Sequence, residues 1–155
     1  MNVRVSGQSQ VASAVAHMRR QASAIAAFNE RTTAAAAADL NTSVAALTDV
    51  NQALSRAPQL ASLGANSFTN PAGYEALATE LDGLLDRVLL AANSRADGKP
   101  LFGGTATAGD PFAVAATDAC GRPTAVAYNG AGERARVSIG PGQTVDTRYD
   151  GRRVF

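Results

Sequence analysis

Aromatic residues are scarce in this sequence of 155 residues, which holds no Trp, three Tyr and five Phe. Pockets for small organic ligands are usually lined by aromatic and large apolar side chains, so this scarcity argues against such a pocket. Alanine accounts for 34 residues, and without it the hydrophobic fraction falls from 46% to roughly 24%. Alanine favours helices and lets them approach closely, but it cannot fill a thick core. The composition therefore predicts a slender protein dominated by helices.

Cysteine and histidine occur once each, as Cys120 and His17. A single cysteine excludes an intramolecular disulfide, and the two residues cannot form a Cys/His zinc site within one chain. A Cys–His nucleophilic site is not favoured, because Cys120 lies in a loop bounded by Gly and Pro, far in sequence from His17. The carboxylates Glu80, Asp82 and Asp86 fall on one predicted helix surface, without a spacing that suggests acid–base catalysis. We therefore predict no catalytic, cofactor or metal site, and a protein that is not an enzyme.

Neither charge nor hydropathy indicates a nucleic-acid or membrane partner. Fourteen basic and thirteen acidic residues give a net charge of +1, whereas proteins that bind phosphate backbones usually carry a strongly basic face. No apolar run is long enough to cross a membrane, and the N-terminus lacks the apolar segment of a signal peptide. We expect no nucleic-acid partner, no membrane contact, and no cleaved signal peptide if the protein is exported.

A stretch without Gly or Pro from Val11 to about Ala57 predicts a long first helix. Its larger residues recur in steps of three and four, as Val11, Val15, Met18, Ala22 and Ile25, and then as Leu40, Val44, Leu47, Val50 or Asn51, and Leu54. Such a seam is typical of a helix that packs along a partner, so we expect a coiled-coil-like rod; an ordinary antiparallel bundle helix is the alternative. Pro58 is predicted to end or kink this helix.

A second helix is predicted over residues 71–95, because Asn70 suits an N-cap and Pro71 the first helical position. Its apolar positions form one stripe, made of Tyr74, Leu77, Ala78, Leu81, Leu84, Leu85, Val88, Leu89 and Ala92. The turn residues Asp97-Gly98 and Lys99-Pro100 end it. Two helices joined by a short link predict a long antiparallel helical hairpin, and residues 1–98 are taken as a helical rod.

The composition changes after Pro100, where Gly, Pro, Asp and Thr become frequent and short β-prone runs appear. These runs cover residues 100–102, 113–114, 124–128 and 135–139. The turn-rich segment 129–134 predicts that the last two runs pair as a hairpin, and Gly140-Pro141-Gly142 predicts a further turn before Thr144. Residues 99–155 are therefore expected to form a small β-rich module packed on the rod. The predicted fold class is mainly α with a small β module.

The sequence from the end of the second helix to Thr105 carries a specific order of residues. Its glycine pair lacks the spacing of a nucleotide-binding loop and follows a helix, so a phosphate site is not favoured. Residues 75–105 instead resemble the flagellin superfamily, and most of all its family of hook–filament junction proteins, the third hook-associated proteins. The positions that match this family one by one are Asn93, Arg95, Gly98, Lys99, Leu101, Phe102, Gly103, Gly104 and Thr105. The resemblance implies a structural role for these residues.

The resemblance covers about residues 11–155 and is strongest over residues 85–145. The sequence lacks the basic–apolar–asparagine loop with Ser-Asp-Asp-Pro that precedes the long helix in the family, and Met1–Gln8 resembles either the family's extreme N-terminus or a truncated remnant of that loop. The family also has a long C-terminal helical region that returns along the first helix, and the sequence stops before it. We therefore expect either a fragment or a naturally reduced member.

The resemblance implies a structural subunit of the bacterial flagellum, an adapter that connects hook to filament. The implied partners are further copies of the chain, other flagellar axial proteins (the hook-associated protein and flagellin), and the flagellar export machinery or a chaperone. The implied location is extracellular, on the flagellum. A filament-forming flagellin of the same superfamily is one alternative, and a secreted helical binding module is an alternative of another class.

Overall fold

The computed structural model describes residues 3–66 and 70–155, with side chains from Gln10 onward. Two helices come first, α1 (Val3–Asn66) and α2 (Pro71–Ala92). Six short strands follow: β1 (Arg95–Ala96), β2 (Lys99–Pro100), β3 (Phe112–Thr117), β4 (Pro123–Tyr128), β5 (Ala135–Gly140) and β6 (Gln143–Arg148). A 3₁₀ turn at Gly151–Arg153 ends the order. The arrangement confirms the predicted fold class, a long helical hairpin followed by β hairpins.

Pro58 was predicted to end or kink α1; it does not end the helix, which continues through it to Asn66. A proline inside a helix leaves the carbonyl four residues earlier without its donor, here that of Leu54. Leu54 is exposed, so water can satisfy this carbonyl. Beyond the proline, Leu60 is only 1% exposed and Gly64 lies against the Leu77 side chain of α2. This burial offsets the cost of the proline. Met1 and Asn2, at the start of the segment that resembles the family's N-terminus, lie outside the described residues, and α1 is helical from Val3.

The side of α1 that packs against the rest of the chain differs from the predicted seam. We call it the buried stripe, and its members, all buried or half-buried, are Asn29, Thr32, Ala36, Asp39, Ser43, Ala46, Val50, Ala53, Ala57, Leu60 and Gly64. They alternate strictly in steps of three and four, the spacing of a heptad seam. In the second half of the predicted seam, only Leu40 and Val50 are covered. Val44, Leu47 and Leu54 remain 63%, 40% and 62% exposed.

The exposed positions follow from the size of the side chains. Small residues such as Ser43, Ala46 and Ala53 are buried because they let α2 and the hairpins approach the helix axis closely. The larger side chains occupy a neighbouring line on α1, which we call the outer stripe and define as Val44, Leu47 and Leu54. A pattern based on the largest apolar residues therefore selected the wrong face.

Helix α2 begins as predicted. Asn70 caps it by accepting a hydrogen bond of 2.9 Å from the Gly73 amide, and Pro71 takes the first helical position. The helix ends at Ala92, before the predicted end at residue 95, because Asn93 leaves the helical conformation. Arg95 consequently lies in strand β1. An ion pair of 2.8 Å between Arg56 of α1 and Glu80 of α2 links the two helices.

The strands pair only with their immediate neighbours in the chain, in three antiparallel hairpins: β1 with β2, β3 with β4, and β5 with β6. The predicted hairpin between residues 124–128 and 135–139 is therefore wrong, because β4 and β5 belong to different sheets. The predicted strand at residues 100–102 is also too long: only Pro100 is in β2, and the chain bends at Leu101 and Phe102. The turn at Pro141-Gly142 before β6 is confirmed.

The core lies where the helices meet the hairpins. Its buried members are Ala46, Val50, Ala91, Leu101 and Phe102, with Val88, Ala96, Phe112 and Tyr149 packed against them. Hairpin β5–β6 lies on α1, and Arg122, at the turn of hairpin β3–β4, reaches Asp82 of α2 in an ion pair of 2.9 Å. This core holds the helical hairpin and the β hairpins together.

Candidate functional site: the contact between the helices and the β hairpins

The nine residues of the recognised motif lie in one continuous segment, which we call the motif segment (residues 93–105). It runs from the end of α2 through β1 and β2 into the turn after them. Six of the nine motif residues touch other elements or the core, namely Asn93, Arg95, Leu101, Phe102, Gly103 and Gly104. Gly98 and Lys99 shape the β1–β2 hairpin, and Thr105 is exposed.

Asn93 joins the end of α2 to strand β3. Its side-chain amide donates to the Phe112 carbonyl at 2.8 Å, and its side-chain oxygen accepts from the Phe112 amide at 2.9 Å. Its own backbone amide donates to the Leu89 carbonyl at 3.0 Å and closes the last turn of the helix. An asparagine carries both a donor and an acceptor, so it can pair with one residue's backbone as another strand would. Asn93 is therefore both the C-cap of α2 and a direct link between that helix and strand β3.

Arg95 holds the loop that follows. Its guanidinium donates to the carbonyls of Gly98 and Gly109 at 3.0 and 2.7 Å and forms an ion pair of 2.8 Å with Asp110. The planar guanidinium has five N–H donors, so one side chain can bind several carbonyls. Two turns are thereby tied to the start of β1.

The turn between β1 and β2 has an unusual backbone. Asp97 and Gly98 have φ values of +48° and +74°. Positive φ at both central positions is the mark of a type I′ turn, which favours Asp-Gly and matches the twist of a two-residue hairpin. The Asp97-Gly98 pair was predicted to end α2, but it instead reverses the chain between β1 and β2 and brings Lys99 opposite Ala96.

Leu101 and Phe102 are both 0% exposed and form the centre of the contact. Their backbones are hydrogen-bonded as well. The Leu101 amide donates to the Ser94 carbonyl at 2.9 Å, and the Phe102 carbonyl accepts from the Gly151 amide at 3.0 Å. The Phe102 ring packs edge-on against Phe155, with 5.1 Å between centroids. Burial of an aromatic ring of this size is among the largest single apolar contributions that a small core can have.

The glycine pair permits a close backbone approach. Gly104 has φ +61°, and a Cβ at this position would lie 2.1 Å from the Ala131 carbonyl oxygen and 2.5 Å from that of Glu133. A Cβ on Gly103 would lie 2.9 Å from the Pro100 side chain. The Gly103 carbonyl accepts from the Ala131 amide at 3.0 Å, so the pair connects the motif segment to the loop between β4 and β5. The glycines therefore allow the motif segment and this loop to pack closely.

Tyr128 also belongs to this contact, a role that was not predicted from the sequence. Its hydroxyl lies 3.1 Å from the Phe102 carbonyl and 3.2 Å from that of Ala131, and accepts from the Gly151 amide at 3.1 Å. Burial raises the pKa of this hydroxyl, which keeps it protonated and able to donate. Its ring also packs against Phe112, with 5.1 Å between centroids. A tyrosine at the end of a β-prone run, in a sequence so poor in aromatics, is the signal that could have identified it.

Charged side chains surround this contact. Asp39 of α1 is partly desolvated, and this burial, followed by repulsion from Asp97, raises its carboxyl pKa; Arg148 and Lys99 oppose the rise. On hairpin β5–β6, Arg134 and Arg136 both donate to Asp146, at 3.1 and 3.0 Å. These hydrogen bonds, with that of Arg134 the larger cause, hold the pKa of Asp146 below its ordinary value.

Cys120 and His17, the two residues of a possible nucleophilic site, lie on different elements. Cys120 is exposed in the β3–β4 turn. His17 lies on the N-terminal half of α1, within the exposed part of that helix that precedes the buried stripe. An open groove of about 780 Å³ lies between α1 and α2, with the Arg56–Glu80 ion pair in its wall. Within residues 3–66 and 70–155, no cluster of three or more His, Cys, Asp or Glu could hold a metal ion. None of the helices in these ranges is long and apolar enough to cross a membrane.

Crystal structures of flagellar junction proteins share this arrangement. The structure of FlgL from Xanthomonas campestris matches with a TM-score of 0.71 and 28% sequence identity, over 86% of this chain and 41% of that one. The chain has the FlgL fold. The flagellar junction protein FlgL from Legionella pneumophila matches with a TM-score of 0.69 and 21% identity, over 94% of this chain and 42% of that one. FlgL from Bacillus cereus matches with a TM-score of 0.63 and 22% sequence identity, over 92% of this chain and 66% of that one.

The FlgL fold confirms the flagellin-like recognition made from the sequence. The chain spans about two fifths of the length of the X. campestris and L. pneumophila FlgL chains. No protein-family model matches the chain, and no curated protein matches its sequence.

Proposed function

We propose that the chain is a structural subunit of the bacterial flagellum, an adapter at the junction between hook and filament. The observation that carries the proposal is the match to X. campestris FlgL, at 28% identity over 86% of this chain. The motif segment adds support, since its residues make the contacts that define the fold. A structural role also fits a molecule whose buried residues serve packing between helices and hairpins.

The exposed apolar side chains of α1 support assembly with other chains. Besides the outer stripe, Val11, Met18, Ile25 and Phe28 are between 59% and 68% exposed. Large apolar side chains aligned along one helix mark a surface that is buried in an assembly. We infer that further copies of the chain and other axial proteins, the hook-associated protein and flagellin, cover this surface.

The organisation of the chain fits this role. We propose that residues 1–98 act as a rod, that residues 99–155 act as a module mounted on it, and that the nine motif residues fix the module's position. Asn93 and Arg95 hold the strands to the end of α2, and Gly103 and Gly104 allow the loop after β4 to lie against the motif segment. A fixed module lets each subunit present the same surface to its neighbours, as a symmetric assembly requires.

The proposal also covers location and export. The chain would be extracellular, on the flagellum, after export by the flagellar machinery with or without a chaperone and without a cleaved signal peptide. It would act by binding neighbouring subunits, with no catalytic step.

Immunogold electron microscopy of intact flagella tests the proposal. We expect gold-labelled antibody against the chain at the boundary between hook and filament, and hooks without filaments in a strain from which the gene is deleted. A flagellin would give a different pair of results. Wild-type cells would carry label along the whole filament, and the deletion strain would lack the filament but keep junction proteins on the hook. Label away from the flagellum with normal motility would identify a secreted binding module and overturn the proposal.

A further inference from the structure

Asn129 and Gly130 form the only Asn-Gly pair in the sequence, and they lie directly after β4. Asn129 is exposed. Among the residues that the structure describes, no hydrogen bond engages the Asn129 side-chain amide or the Gly130 backbone amide. Both reacting groups are therefore free of competing hydrogen bonds.

Tyr128 requires a glycine at position 130. A Cβ on Gly130 would lie 2.3 Å from the Tyr128 hydroxyl oxygen, an impossible contact. The same hydroxyl binds the motif segment and Gly151, so it cannot move aside without loss of those hydrogen bonds. The residue after Asn129 therefore lacks the side chain that would shield its backbone nitrogen.

We propose that Asn129 is a site of spontaneous deamidation that acts on the contact between helices and hairpins. The Gly130 amide loses its proton to solvent base, and its nitrogen attacks Cγ of Asn129. The Cγ–Nδ2 bond breaks, and the leaving nitrogen takes up a proton and departs as ammonia. The resulting five-membered succinimide is opened by water at either carbonyl, giving aspartate or isoaspartate.

Isoaspartate changes the backbone at a position that two hydrogen bonds fix. The Asn129 amide donates to the Pro111 carbonyl at 2.7 Å, and the Ala131 amide donates to the Gly103 carbonyl at 3.0 Å. Isoaspartate adds one methylene to the main chain between these two donors, so both bonds cannot keep their present geometry. The modification loosens the loop from Gly103, whereas aspartate adds only a charge.

Asn93, which precedes Ser94, provides an internal comparison. Its amide is held by two hydrogen bonds to Phe112, so in the folded chain it reacts only after this contact opens. We expect peptide mass spectrometry of the folded chain at mildly alkaline pH to show deamidation at residue 129 and not at residue 93. The rate at residue 129 should stay within about tenfold of its rate in urea, since a surface turn opens at little cost.

Two variants complete the experiment. Asn129→Gln should abolish the reaction in the folded chain, because its longer side chain would have to close a larger ring. Asn129→Asp carries the charge without the backbone change, so its Tm should match that of the wild type, whereas the purified isoaspartate form should melt lower. Two results would overturn the proposal. One is a deamidation rate at residue 129 as low as that at residue 93 in the folded chain. The other is an isoaspartate form with the same Tm as the Asn129→Asp variant.

Discussion

The Asn93 side chain pairs with the backbone of Phe112 through two hydrogen bonds of 2.8 and 2.9 Å, and so binds α2 to β3 in the manner of a strand. Replacement by alanine leaves the amide and carbonyl of a half-buried Phe112 without partners. We expect Asn93→Ala to lower the free energy of unfolding by about 1–3 kcal/mol, measured by urea denaturation. Asn51→Ala, at an exposed position of α1, is the control and should have no unfavourable effect. If both variants lowered the free energy of unfolding equally, the hydrogen bonds of Asn93 to Phe112 would not contribute to stability.

The helices could be predicted from the sequence because their signals are local. The Gly- and Pro-free stretch, the alanines, and the Asn70-Pro71 start are all properties of neighbouring residues. The buried face of α1 could not be predicted in the same way, because Val44 and Leu47 are as apolar as Val50. Which line of residues is covered depends on how closely α2 and the hairpins approach, and small residues such as Ala46 decide that.

The pairing of the strands shows the same limit. The turns at residues 118–122 and 129–134 carry equally strong turn signals. Local sequence therefore does not show whether β4 pairs with β3 or with β5. The choice depends on distant contacts, among them the packing of Phe112 on Tyr128 and the ion pair from Arg122 to Asp82. Likewise, the motif residues were visible in the sequence, but Tyr128 gains its role only from the fold that brings it to Phe102.

Gly104 should tolerate no side chain. A Cβ there meets the Ala131 and Glu133 carbonyls, and the backbone has a positive φ as well. Gly109 is the matched control, because its φ is +75° and a Cβ meets nothing within 4 Å. We expect Gly109→Ala to cost about 1–2 kcal/mol from the backbone alone, and Gly104→Ala to cost at least about 3 kcal/mol more, by urea denaturation. Similar costs would mean that the close approach at Gly104 does not restrict the fold.

Two carboxylates should respond to pH in opposite directions. The folded pKa of Asp146 is lowered by Arg134 and Arg136, so its contribution to stability is present above the unfolded pKa and is lost as pH falls through the folded pKa. Asp146→Asn should therefore destabilise the protein at pH about 6–7 and much less at pH about 3. Urea midpoints measured across this range test the expectation. A difference from the wild type that does not shrink in acid would contradict it.

Asp39 has the opposite sign. Its folded pKa is raised by burial and by Asp97, so the ionised carboxylate opposes folding above the folded pKa, and this penalty disappears as pH falls below the unfolded pKa. We expect Asp39→Asn to raise the urea midpoint near neutral pH and to have little effect in acid. Destabilisation by this variant at neutral pH would show that the carboxylate has a favourable contact that outweighs its desolvation.

The outer stripe should matter for assembly and little for folding. Leu54 is 62% exposed and Leu60 is 1% exposed on the same helix, so identical substitutions test opposite roles. Leu54→Ala should change the stability of the isolated chain by about 0.5 kcal/mol or less, whereas Leu60→Ala should cost about 2–5 kcal/mol.

In cells, the double variant Leu47→Ala/Leu54→Ala should reduce the number of filaments. Leu90→Ala, an exposed leucine on the groove side of α2, is its control. Normal filaments in the double variant would exclude the outer stripe as an assembly surface.

The buried stripe gives the molecule a handedness. Its members keep a strict seven-residue repeat for five heptads, from Asn29 to Gly64, whereas an ideal α-helix turns about 20° relative to that repeat in each heptad. Over this length the stripe of a straight helix would therefore wind left-handedly by about 100°. Elements that follow it, hairpin β5–β6 towards one end and α2 towards the other, meet α1 at different angles around its axis. Any helix that packs along the same stripe must wind in the same left-handed sense, so the mirror-image arrangement is excluded.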